Sequence, residues 1–129
     1  MTLSYWHIPQ GNRAPTPSAI LREQAAALYN ETDGTLRGEV RTQRVDGKQM
    51  AQYLYVIVPS LDDFSLLICE YVHPISSYPG LFLDHINEKR HNVKDQPEFE
   101  RRLRETLASR GVTQILDSLL DQAASGPSP

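Results

Sequence analysis

LRGEVRTQRVDGKQMAQYLYVIV, residues 36–58, decides the fold class. In its first half Leu36, Gly38, Val40 and Thr42 alternate with Arg37, Glu39, Arg41 and Gln43. That is the period of two by which an extended chain presents one apolar and one wet face. Asp46-Gly47 interrupts the pattern, a pair favoured in two-residue type I′ hairpins because both central positions need positive φ. Gln49 to Val58 then returns as a second strand. With such a turn Val45 pairs with Lys48, while Val40, Gly38 and Leu36 oppose Tyr53, Tyr55 and Ile57. The other face then carries Arg37, Glu39 and Arg41 on one strand, yet Leu54, Val56 and Val58 on its neighbour. A strand apolar on both sides needs cover on both. Leu54, Val56 and Val58 are therefore the candidate interface residues, on a sheet face left for another chain.

Downstream, Pro59 to Asp63 reads as a turn and Phe64 to Val72 (FSLLICEYV) as a strand apolar on both faces. His73-Pro74 through Pro79-Gly80 is a turn-rich connection, and Leu81-Phe82-Leu83 is an edge strand or a docked loop. Upstream, Thr16-Pro17 starts a helix over about 17 to 30, closed by Asp33-Gly34. Asp95 and Glu98 form a capping-box-like start to a second helix, which runs to about Arg110 and ends on Gly111 as a left-handed cap. Thr113 caps a third helix with Ile115, Leu116, Leu119, Leu120 and Ala123 on its apolar face. The spacing predicts an α+β fold: an antiparallel three- to four-stranded meander with one N-terminal and two C-terminal helices, in the order α-β-β-β-(β)-α-α.

The 129 residues suit one domain, here 1–123, and at 40% hydrophobic and 22% charged they have the balance of an ordinary globular chain. Residues 1–15 read as a surface-docked segment anchored by Trp6, and 124–129 as a disordered tail. The single cysteine, Cys69, can make no intramolecular disulfide, so a reducing, cytoplasmic setting is expected. The first residues, MTLSYWHIPQGNR, lack the charged start and apolar run of an export leader, and no apolar stretch has the length of a membrane span. A net charge of -3 argues against a broadly basic nucleic-acid footprint.

Candidate chemistry is sparse. Cys69 lies among apolar residues, which suits an inert core thiol. A thiol nucleophile would need a base, and if Val72 pairs with Gly80, Cys69 opposes Leu83 with His85 one diagonal step away. His7, His73, His85 and His91 are dispersed, without the short spacings of paired metal ligands, and Asp62-Asp63 reads as a turn. The basic run at 89–94, with Lys89, Arg90 and Lys94, is the one stretch to weigh as a nucleic-acid contact. Glu88 and Asp95 flank it, which makes it a solvated, nearly neutral loop. No glycine-rich phosphate loop and no cofactor motif occurs. Tyr53 and Tyr55 read as core or interface packing. The expected function is a small cytoplasmic protein-interaction module of adaptor, regulatory, chaperone or immunity type. It would self-associate as a homodimer through a sheet face or bind another protein, with no membrane or nucleic-acid partner. The alternative is a small thiol-dependent enzyme using Cys69 with His85.

Overall fold

The first hairpin closes over three loop residues, not two. In the computed structural model, which describes residues 3–11 and 13–125, strand β1 (Arg37–Arg44) pairs antiparallel with β2 (Gln49–Val58). The Val45 N–H donates to the Gln49 carbonyl at 2.9 Å, and Oδ1 of Asp46 accepts from the N–H groups of Lys48 and Gln49. This side-chain clasp spreads the turn over Asp46, Gly47 and Lys48. Gly47 takes no positive φ, so the type I′ geometry does not form.

The register consequently moves by one residue: Gly38 opposes Val56 and Val40 opposes Leu54. Such a slip carries every side chain of a strand to the other face. Val40 now shares a face with Leu54, Val56 and Val58, while Tyr53, Tyr55 and Ile57 join Arg37, Glu39 and Arg41 on the opposite one. Leu54, Val56 and Val58 are at most 4% exposed and belong to the central core cluster. The expectation that they form an interface is overturned, because the chain's own helices cover them.

Strands β3 (Phe64–Pro74), β4 (Gly80–Asp84) and β5 (Lys89–Val93) complete a five-stranded antiparallel sheet in the order β1-β2-β3-β4-β5. A short 3-10 turn, Pro59–Leu61, joins β2 to β3. The register shifts between Leu54, opposite Cys69, and Tyr55, opposite Leu67. Ile68 is the extra residue of this bulge, and both Ile68 and Cys69 are buried. The bulge is why FSLLICEYV follows no single parity. Residues 89–93, read above as a loop, are a strand because Val93 is buried while Lys89, Arg90 and Asn92 stay exposed. Charged side chains suit a sheet edge.

Helix α1 (Pro17–Glu31) starts at Thr16, whose hydroxyl accepts from the Ala19 N–H, and buries Pro17, Ile20 and Leu21. It crosses β1 so closely that a Cβ at Gly38 would overlap the backbone and methyl of Ala25. Helix α2 (Gln96–Leu107) is capped by Asp95, and Glu98 reaches back to the Lys94 N–H at 2.8 Å. Helix α3 (Arg110–Ala124) is capped by Ser109, not Thr113, and Gly111 lies inside it instead of ending α2. The break falls earlier than expected because Nδ2 of Asn87 donates to both Asp84 and Ser109, pinning the α2–α3 junction to the β4–β5 turn. Buried Asp84 also accepts from the N–H groups of Ile86 and Asn87.

The core closes around Tyr71, Phe82 and Phe99, with the Phe99 ring 4.7 Å from that of Tyr71 and 6.1 Å from that of Phe82. All three side chains are fully buried; burying a large apolar group of this kind stabilises by about 1.5–3 kcal/mol. Trp6, the expected anchor of the N-terminal segment, is 81% exposed. The tail expected at 124–129 lies, from residue 126 onward, outside the described residues.

Candidate interaction surface

All three helices rest on one face of the sheet. Ala25 and Leu28 of α1, Leu107 of α2 and Val112 and Leu116 of α3 converge over Leu54, Val56 and Ile68. The opposite face has no second layer among the described residues. Its middle strands nevertheless present Tyr53 and Tyr55 on β2, Leu67 and Val72 on β3, and Leu81 and Leu83 on β4. Each is half-buried, shielded only by its neighbours in the sheet. Ile57 and Ala51 of the same face are buried between them. The two-sided apolar character of β2 and β3 is thus real, but the side left uncovered is the one carrying the tyrosines.

Polar groups frame this band. The Arg41 guanidinium lies over the Tyr55 ring, 4.4 Å from its centroid, and pairs with Glu39 at 2.6 Å. The Tyr53 and Tyr55 rings stand 6.4 Å apart, tilted by 34°. Near the centre, Glu70 lies opposite both Tyr53 and Leu83, and its Oε1 meets Nε2 of His85 at 2.9 Å. Removal from water and then the Glu70 charge push the Tyr53 phenol above its ordinary value. A band of this kind can bury apolar area against another surface, and the Glu70 carboxylate within it has its hydrogen-bond partner, His85, inside the chain.

The Cys69–His85 pair does not assemble. Val72 pairs with Leu81, one residue from the register assumed above, so Cys69 opposes Asp84 on the helix side. His85 turns to Glu70 on the open side. Cys69 is 1% exposed, and burial, with the Asp84 and Glu70 carboxylates adding to it, pushes its thiol far above the usual range. That is the reverse of what a thiolate nucleophile needs.

His73 does different work. It is 4% exposed and ends a polar ladder on the helix side that runs from exposed Thr42 through buried Gln52. The Thr42 hydroxyl donates to Oε1 of Gln52 at 2.6 Å, the Gln52 amide reaches Nε2 of His73 at 3.1 Å, and Nδ1 of His73 reaches the Pro74 carbonyl at 2.7 Å. In neutral His73 the proton then sits on Nδ1 and Nε2 accepts. Among the described residues no three His, Cys, Asp or Glu side chains gather as a metal-binding group. Lys89 and Arg90 alternate across β5 onto opposite faces, so the basic run presents no single face of the strand.

Leu67, Val72, Leu81 and Leu83 were missed by sequence reasoning. Their signal was parity along each strand, and it could be read only with both registers in hand. Comparisons with models of protein families, with curated proteins and with solved structures found no match.

Proposed function

We propose that the protein is a small interaction module of the cytoplasm, of adaptor, regulatory, chaperone or immunity type, that pairs with a second copy of itself through the open sheet face. The observation that carries this reading is the apolar band of Tyr53, Tyr55, Leu67, Val72, Leu81 and Leu83, lying uncovered across three central strands. A second sheet laid on it would fill the layer about 10 Å deep that face-to-face sheets share. A two-fold axis would let one patch serve both copies, the commonest arrangement in soluble oligomers. The Glu70 carboxylate already has a hydrogen-bond partner in His85, so the second copy need not supply one. The cytoplasmic assignment is supported by the lone buried thiol, which gains nothing from an oxidising compartment. No described helix is long and apolar enough to cross a membrane.

Native mass spectrometry with light scattering tests the pairing. The protein is expected to be a dimer at concentrations on the order of 10 µM. The double substitution Val72→Lys with Leu83→Lys should yield a monomer with an unchanged circular dichroism spectrum. A wild-type monomer over the whole accessible range would overturn self-association, and a dimer indifferent to both substitutions would remove this face from the contact.

A further inference from the structure

Four large apolar side chains are exposed within one short stretch ahead of α1: Leu3 at 75%, Tyr5 at 91%, Trp6 at 81% and Ile8 at 64%. The other exposed large apolar residues among those described, Tyr29, Val45, Phe64 and Ile75, are scattered singly, which is ordinary for a protein surface. On the helix side the reverse situation holds. Helix α1 does not close against α2 and α3, and a cavity of about 290 Å³ remains between them. Ala27, Leu28, Leu107 and Leu116 wall it, and Leu54 and Ile68 lie at its floor. Gln24 and Leu107 also line a second hollow of about 340 Å³, which has Ile20 and Leu103 as apolar members and Glu23, Glu100 and Arg104 as charged ones.

The first cavity lies at the lower limit for small-molecule sites, which run from roughly 300 to 1,000 Å³. Its lining is chiefly apolar, with Gln24, Glu31 and Thr32 as the polar members. The Thr32 hydroxyl at its rim already donates to the Leu28 carbonyl and accepts from the Leu36 N–H. What it suits is one large apolar side chain. We propose that the occupant is the N-terminal segment of the same chain, with Trp6 in the cavity and Ile8 in the adjoining hollow.

Three features support that pairing. Alternate residues of an extended segment share a face, so Trp6 and Ile8 point the same way, about 6.6 Å apart. The order also fits: α1 begins at Pro17, beside the Ile20 hollow, so a segment running back along the groove meets that hollow with Ile8 before it meets the cavity with Trp6. The reach is sufficient, since the eight residues 9–16 span up to about 26 Å when extended, against about 17 Å of helix from Pro17 to Leu28. The open sheet face is the poorer seat, because it lies on the side of the sheet away from α1.

Trp6 is the only tryptophan in the sequence, so its fluorescence reports the contact directly. In the full chain, emission should be blue-shifted from that of the urea-unfolded protein and several-fold less quenched by acrylamide. Neither property should change on dilution. Ala27→Glu, on the groove wall, should return both toward the unfolded values while circular dichroism stays native. Ile8→Asp lies outside every folded element and should shift the emission in the same direction without touching the fold. Native emission as red and as quenchable as that of the unfolded chain would overturn the proposal. So would a blue shift that Ile8→Asp leaves intact, or one lost on dilution, which would seat the segment on another copy.

Discussion

Tyr71 and Tyr78 pack against the same Phe99 ring, yet their hydroxyls differ in one respect that stability can read. The Tyr71 hydroxyl donates to the Ser77 carbonyl at 2.7 Å, whereas the Tyr78 hydroxyl is buried with no hydrogen-bond partner. Removing a bonded hydroxyl strands its acceptor, but removing an unbonded one relieves a desolvated group. Tyr71→Phe is therefore expected to cost about 1 kcal/mol and Tyr78→Phe to be neutral or stabilising by up to about 1 kcal/mol, measured by urea unfolding at neutral pH. The same residue sets an alkaline limit. Burial first, then the Glu100 and Asp95 carboxylates, push the Tyr78 phenol up to about 12. The folded form thus holds this proton more tightly than the unfolded chain, whose tyrosines titrate near 10. Its contribution is complete below about pH 10 and is lost as pH rises through about 12. Urea titrations between pH 8 and 11 should show stability falling above pH 10, with a shallower fall in Tyr78→Phe.

At the scale of elements, the β1–β2 hairpin and its contact with α1 depend on two small features. The Asp46 carboxylate holds the three-residue turn through two backbone N–H groups, and Asp46→Ala should cost about 1 kcal/mol. Its readout is the urea midpoint, with the amide exchange of Lys48 and Gln49 rising in parallel. Gly38 is a matter of space, not of backbone freedom, because the atoms in the way belong to the α1 backbone. Gly38→Ala must therefore lift the helix off the strand and should cost about 1–3 kcal/mol, as overpacking does. A midpoint within error of the wild type would mean that α1 sits farther from β1 than the contact with Ala25 implies.

For the whole molecule, the two sheet faces make opposite predictions for similar residues. Leu54 is 4% exposed beneath the helices, and Leu54→Ala should destabilise by about 2–5 kcal/mol while leaving the assembly state of the remaining folded protein unchanged. Val72 and Leu83 lie on the uncovered face, where Val72→Lys and Leu83→Lys should alter the assembly state more than the stability of the monomer. Sedimentation velocity beside thermal unfolding separates the two responses. A collapse of stability in the lysine variants without a change in assembly would place that face in the chain's own core.

Local chemistry was sufficient for much of this. The helix starts at Thr16-Pro17 and Asp95, the alternation in residues 36–45, and the succession of short turns each reflect groups within a few residues of one another. Together they called for an α+β meander with helices at both ends, and that is the fold. What the local pattern lacked was register. Asp46-Gly47 is compatible with a two- or a three-residue turn, and the choice lies in whether the Asp46 side chain clasps Lys48 and Gln49. One residue of difference at that turn, and another between β3 and β4, exchanged Leu54 for Tyr53 in the core and put Asp84 opposite Cys69. The bulge at Ile68 and the recruitment of 89–93 as an edge strand have the same origin. Pairing between strands satisfies backbone groups far apart in the chain, and side-chain parity follows only after the pairs are made. The residues to be buried could be read from their chemistry; the face on which each would lie was settled by partners from elsewhere in the chain.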